Sequence, residues 1–236
     1  MLFKTQGIVL NFIKYKETSI IVKIFTEEFG LQSYIVNSVR TKNTKTGIAL
    51  YQPLTLLDLV VYHKSNKSIN RISEIKCNAP FKSIPYDIKK TSIALFITEI
   101  LSRTVKIESL NRQKFEFLDS SIKILDELET NFENFHIIFL MRLSKYLGFA
   151  PQSAQEIVNQ IHSWEKQYID NNIQAKHDSD LISMMNNYLS SGYNDVIKSN
   201  HLIRNNIIDL LMKFYSIHIE SIGKIKSLQV LREVLK

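Results

Sequence analysis

The sequence predicts an α+β chain of two domains, a small five-stranded β-barrel over residues 1–78 followed by an all-α helical domain over 79–236. Three observations carry this. Up to about residue 77, short β-branched and aromatic runs are separated by turn residues, the pattern of half-buried strands. From Asp87 the apolar spacing lengthens to that of amphipathic helices. The charge divides with the pattern: residues 1–80 carry 11 Lys and Arg against 5 Asp and Glu, whereas the rest of the chain carries 19 against 18.

Strands are expected near 4–13, 18–26, 31–39, 53–63 and 69–76. Gly30, after Glu27-Glu28-Phe29, marks a tight turn between the second and third, because glycine accepts positive φ without a steric penalty. Five short strands with one longer loop at 40–52 suit a small closed barrel, and the OB-fold is the common architecture of that size.

In the second domain, Ile93, Phe96, Ile97, Ile100 and Leu101 form one helical stripe. Further helices are expected over 111–129, 134–147, 179–190, 200–219 and 225–235. The segment 134–147 is apolar on most sides, which predicts a buried central helix, and Lys145, Gly148 and Pro151 are successive stop signals at its end. Residues 152–178 are polar and weakly periodic and give no firm assignment. The junction between the domains falls near Asn78-Ala79-Pro80.

Several chemistries find no support. Cys77 is the only cysteine, which excludes an internal disulfide and a cysteine-based zinc site and suits a reducing, cytoplasmic setting. Lys45-Thr46-Gly47 lacks the glycine spacing and Lys-Ser/Thr order of a phosphate-binding loop. The six histidines are scattered; His177-Asp178-Ser179-Asp180 reads as well as a helix cap as it does as a metal site. Glu27 and Glu28 are consecutive and would face opposite ways in a strand, so they make a poor acid–base pair. No catalytic residue, cofactor or metal is expected, and no apolar run reaches the roughly 18 residues of a membrane span.

What remains is positive charge interleaved with aromatic rings. Lys14, Tyr15 and Lys16 occupy the first turn, Lys23 and Tyr34 lie on strands, and Arg40, Lys42 and Lys45 punctuate the long loop. Lys64, Lys67 and Arg71 cluster at the last turn. On a barrel of this kind, cations meet phosphates and aromatic rings lie beneath bases, although Tyr15 and Tyr34 could equally pack in the core. The total charge of +7 and pI of about 9.3 agree with a polyanionic partner without requiring one.

Taken in order, Gly7-Ile8-Val9-Leu10, Tyr15-Lys16-Glu17-Thr18-Ser19, Ile24-Phe25-Thr26-Glu27-Glu28-Phe29-Gly30 and the basic loop opened by Arg40 resemble the RecO family of bacterial recombination mediators. Tyr146-Leu147-Gly148-Phe149-Ala150-Pro151 is similar to the family's helix-end motif, and His218 with Lys226-Ser227-Leu228-Gln229-Val230-Leu231-Arg232 to its C-terminal segment. The resemblance implies an OB-fold and a helical domain, binding of single- and double-stranded DNA, and annealing of complementary strands without ATP. It also implies work with RecR and the C-terminal tail of single-stranded DNA-binding protein (SSB) to load RecA. Many relatives carry a four-cysteine zinc module after the Gly-Phe-x-Pro segment; residues 152–178 hold no cysteine. For the SSB tail, an acidic peptide with an apolar end, Arg142 and Lys145 at i, i+3 are the candidate contacts, unless they only solvate the helix edge. Two other readings stay open: an OB-fold RNA-binding or translation-associated protein, and a scaffold whose basic barrel binds acidic protein tails.

Overall fold

The computed structural model describes residues 1–39, 47–64, 67–105, 111–168 and 179–236. Five strands, β1 (Leu2–Tyr15), β2 (Ser19–Thr26), β3 (Gly30–Val36), β4 (Leu56–Tyr62) and β5 (Asn70–Ala79), close into a barrel in the order β1-β2-β3-β5-β4. This is the five-stranded barrel with an OB-type order that the alternating runs predict.

Closure depends on β1, which is longer than its sequence pattern suggests because it serves two neighbours. Leu2 to Ile8 pair with β4, and Gly7 to Tyr15 pair with β2. A register shift between Val9 and Asn11 bends the strand from one partner to the other. Gly7 sits where the walls converge: a Cβ there would lie 2.6 Å from the Ile24 Cγ2 and 2.8 Å from the Leu59 Cδ1. Gly30, with φ of 62°, makes the β2–β3 turn in the left-handed region.

The barrel interior holds Val9, Ile20, Val22, Ile24, Tyr34, Leu57, Leu59 and Val61, all essentially inaccessible to solvent. The stretch expected as a loop at 40–52 also contributes to this core. Ile48–Tyr51 is a short 3-10 turn that delivers Tyr51 into it, where burial pushes the phenol up to about 12. The chain then turns at Leu54, which has φ of 64°, so β4 begins at Leu56 rather than at residue 53.

Among the described residues seven helices follow: α1 (Ile88–Thr104), α2 (Arg112–Glu127), α3 (Phe135–Leu147), α4 (Ala154–Tyr168), α5 (Ser179–Ser190), α6 (His201–His218) and α7 (Ser227–Val234). Helix α4 lies in the segment for which the sequence gives no firm assignment. Its start carries a capping signal, Ser153-x-x-Glu156: the Ser153 hydroxyl accepts from the Glu156 N–H, and the Glu156 carboxylate accepts from the Gln152 N–H. Ile157, Val158 and Ile161 are its buried face. Helix α3 is buried along most of its length, as expected, and ends in a Schellman motif. There Gly148, with φ of 90°, donates to the Lys145 carbonyl and Phe149 donates to that of Ser144.

Contacts group the chain into two compact units. One comprises Met1–Asp87 with Ile97–Asp126, and the other Ile88–Phe96 with Glu127–Lys236. The barrel is therefore joined in its unit by the second half of α1 and nearly all of α2. Phe115 of α2 packs on Phe25 of β2 at 6.2 Å between ring centroids, and the Asn11 amide donates to the Ser102 hydroxyl at 3.4 Å.

The end of α2 also holds the segment that follows β5. The Asp126 carboxylate accepts from the backbone N–H groups of Lys82, Ser83 and Ile84 at 2.7, 2.9 and 2.9 Å, and also from the Ser83 hydroxyl. Burial by itself raises the pKa of this carboxyl, but the hydrogen bonds overcome that and hold it below the usual value. Asp126→Ala leaves three N–H groups without their acceptor, and should lower stability in urea by about 2–3 kcal/mol with an unchanged denaturant slope.

In the other unit, His136 of α3 is buried edge-on against Phe96. Burial, reinforced by the nearby Arg204 charge and partly countered by the Glu133 carbonyl, holds its pKa down to about 3. The unfolded chain takes up this proton below about pH 6.5 and the folded chain does not, so the stabilisation is complete above that pH and is lost as pH falls. Stability should drop by about 2 kcal/mol between pH 7 and pH 5 from this group, and urea titrations of His136→Gln should show a flatter profile over that window.

Candidate nucleic-acid interface

Strand pairing decides which side chains leave the barrel. Val22, Tyr34 and Val61 point inward to the core, so their chain neighbours point outward. One outward row can be followed across the strands: Ile13 pairs with Ile21, Ile21 with Ile35, Ile35 with Arg71, and Arg71 with Tyr62. Ile13 is 60% exposed and Tyr62 47%. At a strand spacing of about 4.8 Å the row runs about 19 Å around the sheet.

The expected cations border this row on both sides. Lys14 and Lys16 lie at the β1–β2 turn and both are exposed; Lys14 pairs with the core residue Ile20 and so leaves β1 on the other face from Ile13, while Lys16 is the central left-handed residue of the turn, with φ of 53°. Its ammonium rests 5.6 Å from the centroid of the Tyr15 ring, which is itself partly exposed. On the other side Lys23, exposed, lies two residues from Ile21 in the outward row Asn11–Lys23–Ser33. Lys64 and Lys67 are exposed in the connection that leads into β5, and Arg71 is exposed within the row itself.

Asn70 positions that connection, a role the sequence does not advertise. It is buried; its carbonyl oxygen accepts from the Lys64 N–H at 3.1 Å and its amide donates to Gln32 of β3 at 3.4 Å. The parallel β3–β5 pairing is only two residues long, so this side chain helps to fasten β5 beside β3.

Tyr34 requires a correction. Its ring is fully buried in the barrel core, and burial raises its phenol far above the ordinary value, with only partial relief from the Thr26 hydroxyl. It has no face to offer a base. Tyr62, which the sequence does not single out, is the exposed aromatic of the outward row. Arg40, Lys42 and Lys45 lie outside the described residues.

These cations stand outside the ion pairs of the described residues, as do Lys4, Lys76, Arg142, Lys145 and Lys224. Among the described residues, none of Lys14, Lys16, Lys23, Lys64, Lys67 and Arg71 joins an ion pair, whereas Lys89, Arg103, Arg112, Lys123, Lys213, Arg232 and Lys236 all do. A groove of about 660 Å³ on the β1–β4–β5 side of the barrel is charge-balanced instead. Lys4, Lys76 and Arg112 there face Glu27, Asp58 and Glu74, which makes it unsuited to a polyanion.

In the helical unit, Arg142 and Lys145 are both exposed on α3. Arg142 is engaged, donating to the Ser191 carbonyl at 2.9 Å and lying 4.9 Å over the Tyr193 ring, which also stacks on Phe135. A separate groove of about 450 Å³ is lined by Met212, Ile222, Ile225 and Leu228 together with Lys224, Arg232 and Glu233. Among the described residues no cluster of three or more His, Cys, Asp or Glu is placed to hold a metal ion, and no helix is long and apolar enough to cross a membrane.

An OB-type barrel with unpaired cations about its outer sheet, followed by a run of helices, defines the class of barrel-and-helix proteins suited to a polyanionic ligand. Comparison with known proteins narrows the class. The family described as Recombination protein O N terminal matches residues 1–81, and that described as Recombination protein O C terminal matches residues 85–229. Two proteins named DNA repair protein RecO, from Bacteroides fragilis and Flavobacterium psychrophilum, are 36% and 35% identical, each over 99% of both chains. A third of that name, from Prosthecochloris aestuarii, is 30% identical over 67% of this chain and 60% of its own. The chain belongs to the RecO family of DNA repair proteins.

Proposed function

We propose that this protein is a non-catalytic recombination mediator of the bacterial cytoplasm that binds single- and double-stranded DNA on the outer sheet of its barrel. It anneals complementary strands without ATP or any other cofactor, and with RecR it helps load RecA onto SSB-coated DNA. The observation that carries this reading is the set of unpaired cations, Lys14, Lys16, Lys23, Lys64, Lys67 and Arg71, arranged about one outward row of the barrel. Phosphates are the ligand that free cations on a curved sheet attract without sequence preference. Arg40, Lys42 and Lys45 add three further positive charges in the chain between β3 and β4.

Reversing Lys14, Lys16, Lys64, Lys67 and Arg71 to glutamate should weaken binding of labelled DNA and reduce the log–log salt slope by roughly 0.7–0.9 for each phosphate no longer neutralised. The unfolding midpoint should barely move, since all five are exposed. Unchanged affinity in the folded variant would place the DNA path elsewhere. Tighter binding of RNA than DNA in the same titration would favour a translation-associated role, and a flat salt response would favour a protein scaffold. Annealing on SSB-coated strands tests the mediator step directly.

The SSB tail is proposed to dock on the helical unit. Arg142 and Lys145 remain exposed, but Arg142 already braces Ser191 and Tyr193. The groove between α6 and α7 better meets the needs of a peptide with an apolar end and a carboxylate, offering Met212, Ile222, Ile225 and Leu228 together with Lys224. In titrations of a labelled tail peptide against the full chain, Lys224→Glu should weaken binding roughly fivefold or more and Arg142→Ala by less than about twofold. The reverse order would return the site to α3.

A further inference from the structure

The outward row carries more apolar surface than phosphate binding requires. Ile13, Ile21 and Ile35 stand side by side on β1, β2 and β3, and Tyr62 closes the row on β4 with Leu2, half exposed, as its partner on β1. These are large side chains, and Ile13 and Tyr62 have about half or more of their surface in water. Arg71 lies between Ile35 and Tyr62 as the direct partner of both. Directly paired residues on one face hold their Cβ atoms about 4.5–5.5 Å apart, so the Arg71 guanidinium and the Tyr62 ring are within reach of one flat ligand.

A ligand suited to this row is flat and apolar on its face and anionic along its edge. The cations on the two sides, Lys16 at the β1–β2 turn on one and Lys23 on the other, require the anionic edge; three isoleucines and a tyrosine require the apolar face. A single strand with its bases turned toward the sheet has both properties. A duplex does not, because its base faces are stacked inside it and only phosphates, sugars and base edges reach the protein.

We infer that the row Ile13–Ile21–Ile35–Arg71–Tyr62 is a base-contact track, in which unpaired nucleobases lie against the isoleucines and stack on Tyr62 beside Arg71. It rests on the proposed path of DNA over the barrel and adds to it a means of favouring single strands. The isoleucines supply contact area without a π-face, so bases over β1, β2 and β3 are held loosely, and Tyr62 is the one firm stacking point on the row. Tyr62 is half exposed and lies outside the barrel core, so its replacement leaves the core intact.

The test uses the full chain and three labelled ligands of equal length: oligothymidine, a strand with most bases replaced by abasic sites, and a duplex. Tyr62→Ala should weaken oligothymidine binding about five- to a hundredfold, the range that follows from removing one stacked base. Tyr62→Phe should restore most of it, and Ile13→Ser should lower it severalfold. Affinity for the duplex should change by less than about twofold in each variant, and the salt slope should stay as in the parent, since every phosphate-neutralising cation is still present. The parent should bind the abasic strand as weakly as Tyr62→Ala binds oligothymidine.

Equal affinity of the parent for abasic and normal strands would overturn the inference while leaving DNA on the barrel, provided charge reversal at Lys14 and Arg71 still weakens both. Equal losses on single strands and duplex in Tyr62→Ala, or tight capture of an acidic peptide that Tyr62→Ala abolishes, would overturn it as well. Absence of DNA from the barrel altogether would appear as indifference to the charge reversals, a result distinct from any of these.

Discussion

The barrel and the surface it presents both depend on the way β1 is shared. A closed sheet needs every strand to pair on both sides, and β1 does so by passing from β4 to β2 around the Val9–Asn11 bulge. Where it crosses, its backbone comes so near Ile24 and Leu59 that only a residue without a Cβ fits, and Gly7 is that residue. An alanine at this position would force the Ile24 and Leu59 side chains out of their places. The core residues behind them, Val9, Val22 and Leu57 among others, would then pack less densely than a protein interior requires.

Closure then settles the surface. With every second residue committed to the interior, the remaining ones have no choice of face, and the outward row of isoleucines with Arg71 and Tyr62 follows from pairing alone. The cations near it join no ion pair among the described residues, whereas on the helices Arg103, Arg112, Lys123 and Lys213 pair with carboxylates four residues away or on an adjacent helix.

The barrel is legible in the sequence because alternation survives even in short strands, and most of the helices because their stripes are long. What fails needs information from a second strand. Tyr34 lies between Ser33 and Ile35, and nothing in that triplet tells whether the tyrosine or the isoleucine faces in; only pairing with Val22 and Asn70 places the ring inside. Tyr62 is the reverse case, an aromatic in the run Val60-Val61-Tyr62 that looks like core and is half exposed. The 3-10 turn bearing Tyr51 is too short to show a period. Helix α4 is hidden by its polar composition, although Ser153-x-x-Glu156 ahead of Ile157, Val158 and Ile161 is a readable start. The engagement of Arg142 with Ser191 joins residues 49 positions apart and has no local trace.

The clamp at Asp126 has a consequence for how the protein is made. Residues 1–87 emerge from the ribosome before α2 does, yet Lys82, Ser83 and Ile84 depend on a carboxylate encoded 42 or more positions later, and Phe25 depends on Phe115. At translation rates of about 5–20 residues per second the nascent barrel waits roughly two to eight seconds with that apolar flank bare and the segment after β5 untethered. Nothing that has yet emerged can cover the flank that α2 will occupy, so this interval is when the protein is most exposed to misassociation and when a holdase would have most to bind.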